Sequence, residues 1–280
     1  GGSLSPVYRQ GRRRGKGRGR DFAPMKNILT IAAKEIRSFF VSPIAYVVLT
    51  GFLLLGGWFF FNLLFRFNYL LTLYSSFQNP QGLQGLNLNE HVVAPLLHNL
   101  TIIFVIMVPI ITMRSFAEEK KNGTYELLLT SPLTVTEIVL GKFLGSLFFV
   151  FTMILLTGIY PAILLFYGNP ELGMLASGYL GLFLLAVVFV SVGLLTSSLT
   201  ENQIVAAVTC FVILLLLYVL SWPSETTATL GNILKYLSVI EHFSEMVKGL
   251  VDTRNLVYFL SLILLSLFLT HRSVEASRWR

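Results

Sequence analysis

Long apolar runs without charge constrain this chain more than any other feature of its sequence. Several windows of roughly twenty residues contain no Asp, Glu, Lys or Arg, and an α-helix of that length crosses about 30 Å of hydrocarbon. Only 12% of the 280 residues are charged, whereas an average soluble domain has about 25%. The pattern excludes a soluble enzyme with one compact core, a disordered chain and a disulfide scaffold. It predicts an all-α, polytopic membrane protein.

Six apolar segments are predicted to span the membrane, at about 44–64, 92–113, 139–166, 179–199, 204–222 and 255–270. Residues 27–41 precede them with the periodicity of an amphipathic helix, whose charges are Lys34, Glu35 and Arg37. Each such charge would cost about 2.5–3.5 kcal/mol at mid-membrane. This helix is therefore predicted to lie flat in the inner-leaflet interface. Ser42 and Pro43 then predict the cap and first turn of span one.

The basic residues predict the orientation. Residues 1–24 are rich in glycine and arginine with nothing to bury, which predicts a disordered basic tail, an expression remnant or a misassigned start before a transmembrane domain at 25–280. If the chain has six spans and its N-terminus lies in the cytoplasm, the cytoplasmic segments hold 17 Lys and Arg and the outer segments hold four. This bias predicts that both termini are cytoplasmic. A nucleic-acid partner is not expected, because the charge clusters ahead of the first span.

No pattern of a catalytic, metal or phosphate-binding site occurs in the chain, so neither catalysis nor a bound cofactor is expected. Cys210 lies in an apolar run and is interpreted as a core residue. His98 is interpreted as structural. Pro95, Pro109 and Pro161 are predicted to kink their helices. The hydroxyls inside the spans favour helix packing over a substrate role; these are Thr101, Thr112, Thr152 and Ser191.

The loop between spans two and three, residues 114–142, carries the most information. Its two capping-box patterns start at Ser115 and at Thr134. Gly123 is predicted to end one helix, and Pro132 to separate a short helix over 124–129 from span three. Tyr125, Leu128 and Leu129 form an apolar face that is predicted to need a partner. The alternative is a solvated connecting loop.

These motifs together resemble the ABC-2-type exporter permeases. The loop has that family's acidic pair, Gly-Thr, Leu run, Ser-Pro and Gly-Lys in order, and Lys34-Glu35-Ile36-Arg37 before Ser42-Pro43 resembles its interface helix. Residues 196–203 resemble its loop between spans four and five, with Thr200 and Gln203 as a further capping pattern. Residues 242–258 and the closing Arg278-Trp279-Arg280 resemble the gliding-motility (Gld-type) and copper-enzyme-maturation branch.

The resemblance implies a permease subunit in a bacterial or archaeal cytoplasmic membrane, paired with a second permease copy or paralogue. ATP and Mg²⁺ would bind a separate cytoplasmic ATPase, which would seat a coupling helix near residues 118–131. The implied interface residues are Glu118, Glu119, Gly123, Thr124, Tyr125, Glu126, Leu128, Leu129 and Pro132, with Thr200, Glu201 and Asn202 in the second cytoplasmic loop. Glu126 could instead pair with Lys120 or Lys121. Membrane lipids are the remaining partner. A membrane-embedded scaffold and a membrane enzyme are the alternatives.

Overall fold

The computed structural model describes residues 23–77, 81–82, 85–168, 170–220 and 236–278. Every regular element in these ranges is helical, as the sequence predicts. The helices are α1 (Ala23–Val41), α2 (Pro43–Ser76), α3 (Ala94–Thr112), α4 (Arg114–Lys121), α5 (Thr124–Thr130), α6 (Val135–Thr157), α7 (Ile159–Tyr167), α8 (Leu172–Leu199), α9 (Gln203–Val219), α10 (Val239–Val247) and α11 (Thr253–Ser277). One π-helical turn, Asn89–Val93, leads into α3. The basic tail predicted at 1–24 lies outside the described helices, except for the first two residues of α1.

Five helical stretches among the described residues are long and apolar enough to cross a membrane: Pro43–Ser76, Asn89–Lys121, Val135–Tyr167, Leu172–Leu199 and Thr253–Ser277. The chain is thus a multi-pass membrane protein. The segment predicted as span five forms the shorter apolar helix α9, and the end of that prediction, at 221–222, lies outside the described residues. The last span is predicted at sixteen residues, but α11 has 25.

The predicted helix starts have mixed outcomes. The capping box at Thr134 is confirmed in both directions, with the Glu137 side chain bonded to the Thr134 backbone N–H. The one at Ser115 is wrong, because Ser115 is buried inside a helix and makes no cap. At the start of α9 the cap is Asn202, whose Oδ1 accepts from the Ile204 N–H, and not Thr200. Pro43 begins α2 as predicted, but the Ser42 hydroxyl makes no cap bond.

Pro161 interrupts its span, as predicted, and the break is stabilised from a neighbouring helix. α6 ends at Thr157 and α7 begins at Ile159. A proline at position 161 has no N–H to donate to the carbonyl four residues earlier, which is that of Thr157. The Tyr179 hydroxyl of α8 donates to this carbonyl at 3.1 Å instead. By contrast, Pro109 lies inside α3, which continues through it.

Two glycines let α1 pack directly against the backbone of α6. A Cβ on Gly141 would lie 2.6 Å from the Cβ of Ile31, and one on Gly145 would lie 2.5 Å from that of Glu35. The contacts advance in step along both helices, from Asn27 bonded to Glu137 at one end to stacked Phe39 and Phe149 rings at the other. α1 therefore runs alongside α6. A helix lying flat in the membrane plane, as predicted, would instead cross a transmembrane α6 at one point.

Helix α8 forms the centre of the bundle and contacts α3, α9, α10 and α11. Its apolar window is the most buried of the five candidate spans. Cys210 is buried as predicted. His98 is structural, because its ring nitrogens bond the Ala94 carbonyl and the Ser244 hydroxyl, which joins α3 to α10. The four hydroxyls expected to pack helices all donate to a carbonyl of their own helix: Thr101, Thr112, Thr152 and Ser191.

Candidate coupling site

A buried ion cluster joins α1, α4 and α6. The Lys142 ammonium lies 2.7 Å from Glu35 and 2.9 Å from Glu119, and it donates to the Ser115 carbonyl at 2.7 Å. An ammonium has three N–H donors, so each has a partner although the side chain is only 2% exposed. Lys34 adds an outer ion pair to Glu119 at 3.3 Å. The cluster fixes α4 against α1 and α6.

Glu118 is also paired within the chain. Its carboxylate accepts from Arg114 at 2.9 and 3.4 Å, and Arg114 donates a further bond to the Ser42 hydroxyl at 3.0 Å. Two of the three acidic residues that the first loop contributes to the implied interface, Glu118 and Glu119, are therefore neutralised internally. Glu126 is exposed and forms no ion pair with any described residue, Lys120 and Lys121 included.

The serines at the end of α8 attach that helix to α4. The Ser197 hydroxyl accepts from the backbone N–H groups of Phe116 and Ala117 at 3.0 and 3.1 Å and donates to the Met113 carbonyl at 3.0 Å. The first N–H groups of a helix have no partner within it, so Ser197 caps α4 from another helix. Lys120 also donates to the Ser198 carbonyl at 2.5 Å. Two residues of α8, Ser197 and Ser198, therefore attach that helix to α4 and to its first turn.

Four of the twelve residues predicted for the two loops line one groove of about 590 Å³, namely Gly123, Tyr125, Glu126 and Glu201. Both predicted loops contribute to it, and the end of α11 forms a third wall that the sequence analysis did not anticipate. Its lining residues are Lys120, Gly123, Tyr125, Glu126, Ser198, Leu199, Glu201, Ser273, Ala276 and Ser277. The Ser273 hydroxyl donates to the Ser198 carbonyl at 3.2 Å. Two carboxylates, Glu126 from one loop and Glu201 from the other, outnumber the one cation of the lining, Lys120, and give the groove an acidic rim.

Helix α5 presents a different face from the one predicted. Tyr125 is buried, and Leu128 is half-buried against the protein's own core. Burial raises the pKa of the Tyr125 phenol, which keeps it neutral. The outward face instead carries Glu126 and Leu127, and Leu127 is 71% exposed. The apolar face that was expected to need a partner is therefore covered by the protein's own core at Tyr125 and Leu128. The side chain of Leu129 lies outside the described part of the structure.

The remaining predicted residues shape the loops. Gly123 adopts φ 69°, the left-handed region that favours glycine, and separates α4 from α5. Thr124 donates to the Glu119 carbonyl at 3.3 Å, and Pro132 is exposed between α5 and α6. Thr200 accepts from the Asn202 N–H at 3.2 Å. Arg37 is exposed on α1 and forms no ion pair with any described residue.

Three residues that organise this site were not singled out from the sequence. Lys142 was assigned to the cytoplasmic end of span three, although a lysine between two packing glycines in a helix could have indicated a buried position. Ser197 stands in a run of three hydroxyl residues before a helix end, and that run gives no signal of a cap for another helix. Leu127 is the first of three consecutive leucines, and hydropathy gives no signal that this one is exposed.

Comparison with known proteins is consistent with this architecture. The family model described as "ABC-2 family transporter protein" matches residues 77–270. Curated relatives include the protein named "Probable multidrug ABC transporter permease YbhR" from Escherichia coli strain K12 and its counterpart in strain O157:H7. Each is 33% identical over 155 residues, which cover 53% of this chain and 41% of the relative. The match thus spans well under half the length of these relatives.

Proposed function

The chain belongs to the ABC-2 family of transporter proteins, and from that premise we propose that it is the membrane permease subunit of an ATP-binding-cassette exporter. ATP and Mg²⁺ bind a separate cytoplasmic ATPase, and this chain catalyses no reaction itself. The ATPase seats a segment in the groove between α5, the α8–α9 loop and the end of α11. α4 and α5 act as the coupling segment.

The observation that carries the proposal is the convergence of both predicted loops on that groove. Glu126 and Glu201 give its rim two carboxylates, and Leu199 of its lining is a 66%-exposed apolar side chain. Leu127, outside the lining, is a second exposed apolar side chain next to Glu126 in the chain. An apolar centre with a polar rim is the usual anatomy of a protein–protein interface. A basic segment on the ATPase would complement the acidic rim.

The contacts behind the groove provide a route for coupling. A displacement of α5 by the ATPase would be passed to α4 through Gly123, which joins the two helices. In turn, α4 is attached to α8 by Ser197 and to α1 and α6 by Lys142. A partner changes the populations of two arrangements only by binding one of them more tightly. In this proposal, ATP-driven closure of the ATPase changes its affinity for the position of α4, and the attached helices move together.

The finer assignments belong to the same proposal. We place both termini in the cytoplasm, count α9 as span five of six, and expect two permease chains, identical or paralogous, with two ATPase subunits. The membrane is a bacterial or archaeal cytoplasmic membrane, and the branch is the Gld-type and copper-enzyme-maturation one. The curated relatives are named multidrug permeases; for this chain we propose an amphipathic cargo, since the span hydroxyls bond their own helices.

The experiment that tests the function is mild-detergent purification of the tagged chain from its native membranes, with mass spectrometry of the proteins that accompany it. The wild-type chain is expected to retain a stoichiometric soluble protein with a phosphate-binding loop and ATPase activity. The chain with Glu126→Lys or Leu127→Asp is expected to retain much less of that protein. The first substitution reverses a charge at the proposed contact, and the second places a charge there.

Glu90→Lys is the matched control, since Glu90 is an exposed acid in the π-helical turn before α3, away from the groove. It is expected to retain the ATPase. If the wild type carries no ATPase while other transporters from the same membranes keep theirs, the permease proposal fails. The scaffold alternative predicts a different result, in which integral partners co-purify and neither groove variant changes them.

A further inference from the structure

We propose that the corner between α1 and α2 is a binding site for the phosphate headgroup of an anionic phospholipid. A cleft of about 490 Å³ lies there, lined by Lys34, Arg37, Ser38, Val41, Ser42 and Arg114. Three cations and two hydroxyls line one space, and these are the side chains that bind phosphate oxygens. The proposal does not depend on the ATPase or on transport.

The tertiary structure makes this surface more cationic than the sequence indicates. Lys34 and Arg37 are three residues apart and share a helix face, whereas Glu35 is turned away and is paired with the buried Lys142. Sequence position alone would place the Glu35 carboxylate among these cations. The structure removes it from the cleft.

The charge balance leaves one cation for a ligand. The connected ion pairs and the cleft together hold four cations, Lys34, Arg37, Arg114 and Lys142, and three carboxylates. Arg37 is the cation that has no carboxylate partner among the described residues. Arg114 donates three hydrogen bonds, to Glu118 and Ser42, and a guanidinium has five N–H donors. Two of its donors are therefore still available.

The position of the cleft favours a lipid as the source of the phosphate. It lies where apolar helices meet polar segments, at Ser42 directly before α2 and at Arg114 shortly after the end of α3. Val41, Ile44 and Val47 are 74%, 46% and 71% exposed beside it. A headgroup held by the cations would place its acyl chains against this apolar surface. A soluble anion would make no use of that surface.

The test is native mass spectrometry of the detergent-purified chain titrated with phosphatidylglycerol, with phosphatidylcholine as the zwitterionic comparison. The wild-type chain is expected to prefer phosphatidylglycerol. Arg37→Gln is expected to weaken phosphatidylglycerol binding about fivefold, and Lys34→Gln combined with Arg37→Gln about 25-fold, with binding of phosphatidylcholine little changed. Both side chains are exposed, so the thermal midpoints should stay close to that of the wild type.

Lys121→Gln is the matched control, because Lys121 is an exposed cation of α4 outside the cleft. It is expected to bind phosphatidylglycerol as the wild type does. Equal losses in the control and in Arg37→Gln would mean diffuse attraction to surface charge and would overturn the site. Unchanged phosphatidylglycerol preference in the double variant would overturn it as well. Inorganic phosphate is titrated in parallel, and equal affinity for it would overturn the assignment to a lipid.

Discussion

The ammonium of Lys142 lies 2.7 Å from a carboxylate oxygen of Glu35, 107 positions earlier in the chain. One residue belongs to the helix that precedes the first membrane-span candidate and the other to the third candidate. Glu119, near the end of the second candidate, completes the cluster. Segments of three different helices are thus held at one buried point, beside the groove proposed for the ATPase.

Lys142→Met is predicted to destabilise the protein strongly. Removing one partner from a buried ion pair leaves uncompensated charge and typically costs about 3–5 kcal/mol, and here two carboxylates lose their shared cation. The thermal unfolding midpoint in detergent should fall clearly below that of the wild type. Lys34→Met, which removes the 66%-exposed outer lysine, is the control and should change the midpoint little. Similar midpoints for both variants would show that the cluster is not a structural anchor.

Gly145→Ala is predicted to loosen α1 from α6. The new Cβ would lie 2.5 Å from that of Glu35, so the helices must separate, and overpacking of this kind costs about 1–3 kcal/mol. Hydrogen exchange of the α1 amides should increase. Gly173→Ala is the control at a helical glycine, because nothing lies within 4 Å of its added Cβ, and it should be neutral or stabilising. Destabilisation by both substitutions to the same extent would contradict the close-packing argument.

Ser197→Ala is predicted to free the start of α4. The backbone N–H groups of Phe116 and Ala117 lose their acceptor, at a cost of about 1–2 kcal/mol. Hydrogen–deuterium exchange should become faster at these two amides. Ser198→Ala is the neighbouring control, since that hydroxyl donates only within its own helix, to the Leu195 carbonyl. Protection of both amides in the Ser197 variant would refute the trans-helix cap.

Tyr179→Phe is predicted to lower the free energy of unfolding by about 1 kcal/mol, because the Thr157 carbonyl loses its hydroxyl donor. The Pro161→Ala background supplies a backbone N–H where proline has none. In that background the Tyr179→Phe substitution should therefore cost less. The comparison is a double-mutant cycle of thermal or denaturant unfolding. Additive effects would mean that the hydroxyl does not substitute for the missing amide.

Much of the fold was predictable because a membrane imposes strong rules on composition. A run of apolar residues without charge must form a helix in hydrocarbon, where every backbone polar group needs a partner. Helix caps and turns were also predictable where neighbouring residues decide them. Examples are the cap that Thr134 forms with Glu137 and the left-handed Gly123 with φ 69°. Ser115 and Thr200 have the same kind of local pattern, but Ser115 is buried inside a helix, and at α9 the neighbouring Asn202 makes the cap in place of Thr200.

The sequence predicted which loop forms part of the candidate site, but not which of its side chains are exposed there. Motif order indicated the loop at 114–142, and the structure brings four of its residues, Lys120, Gly123, Tyr125 and Glu126, to one groove with Glu201. The orientation of each side chain depends on which neighbouring helix covers it. Tyr125 is buried and Leu127 is exposed for that reason, and hydropathy alone cannot distinguish the two.

The sequence by itself determined the class of this protein, the number of apolar helices to within one and the loop that carries its polar chemistry, because these follow from solvent preference and residues close in the chain. Only the tertiary structure decided that Glu35 forms an ion pair with the buried Lys142 and does not face the surface. It also decided that Ser197 caps a helix 80 residues away. Those pairings depend on how closely helices approach. For α1 and α6 that distance is set by Gly141 and Gly145, whose partners the linear order does not specify.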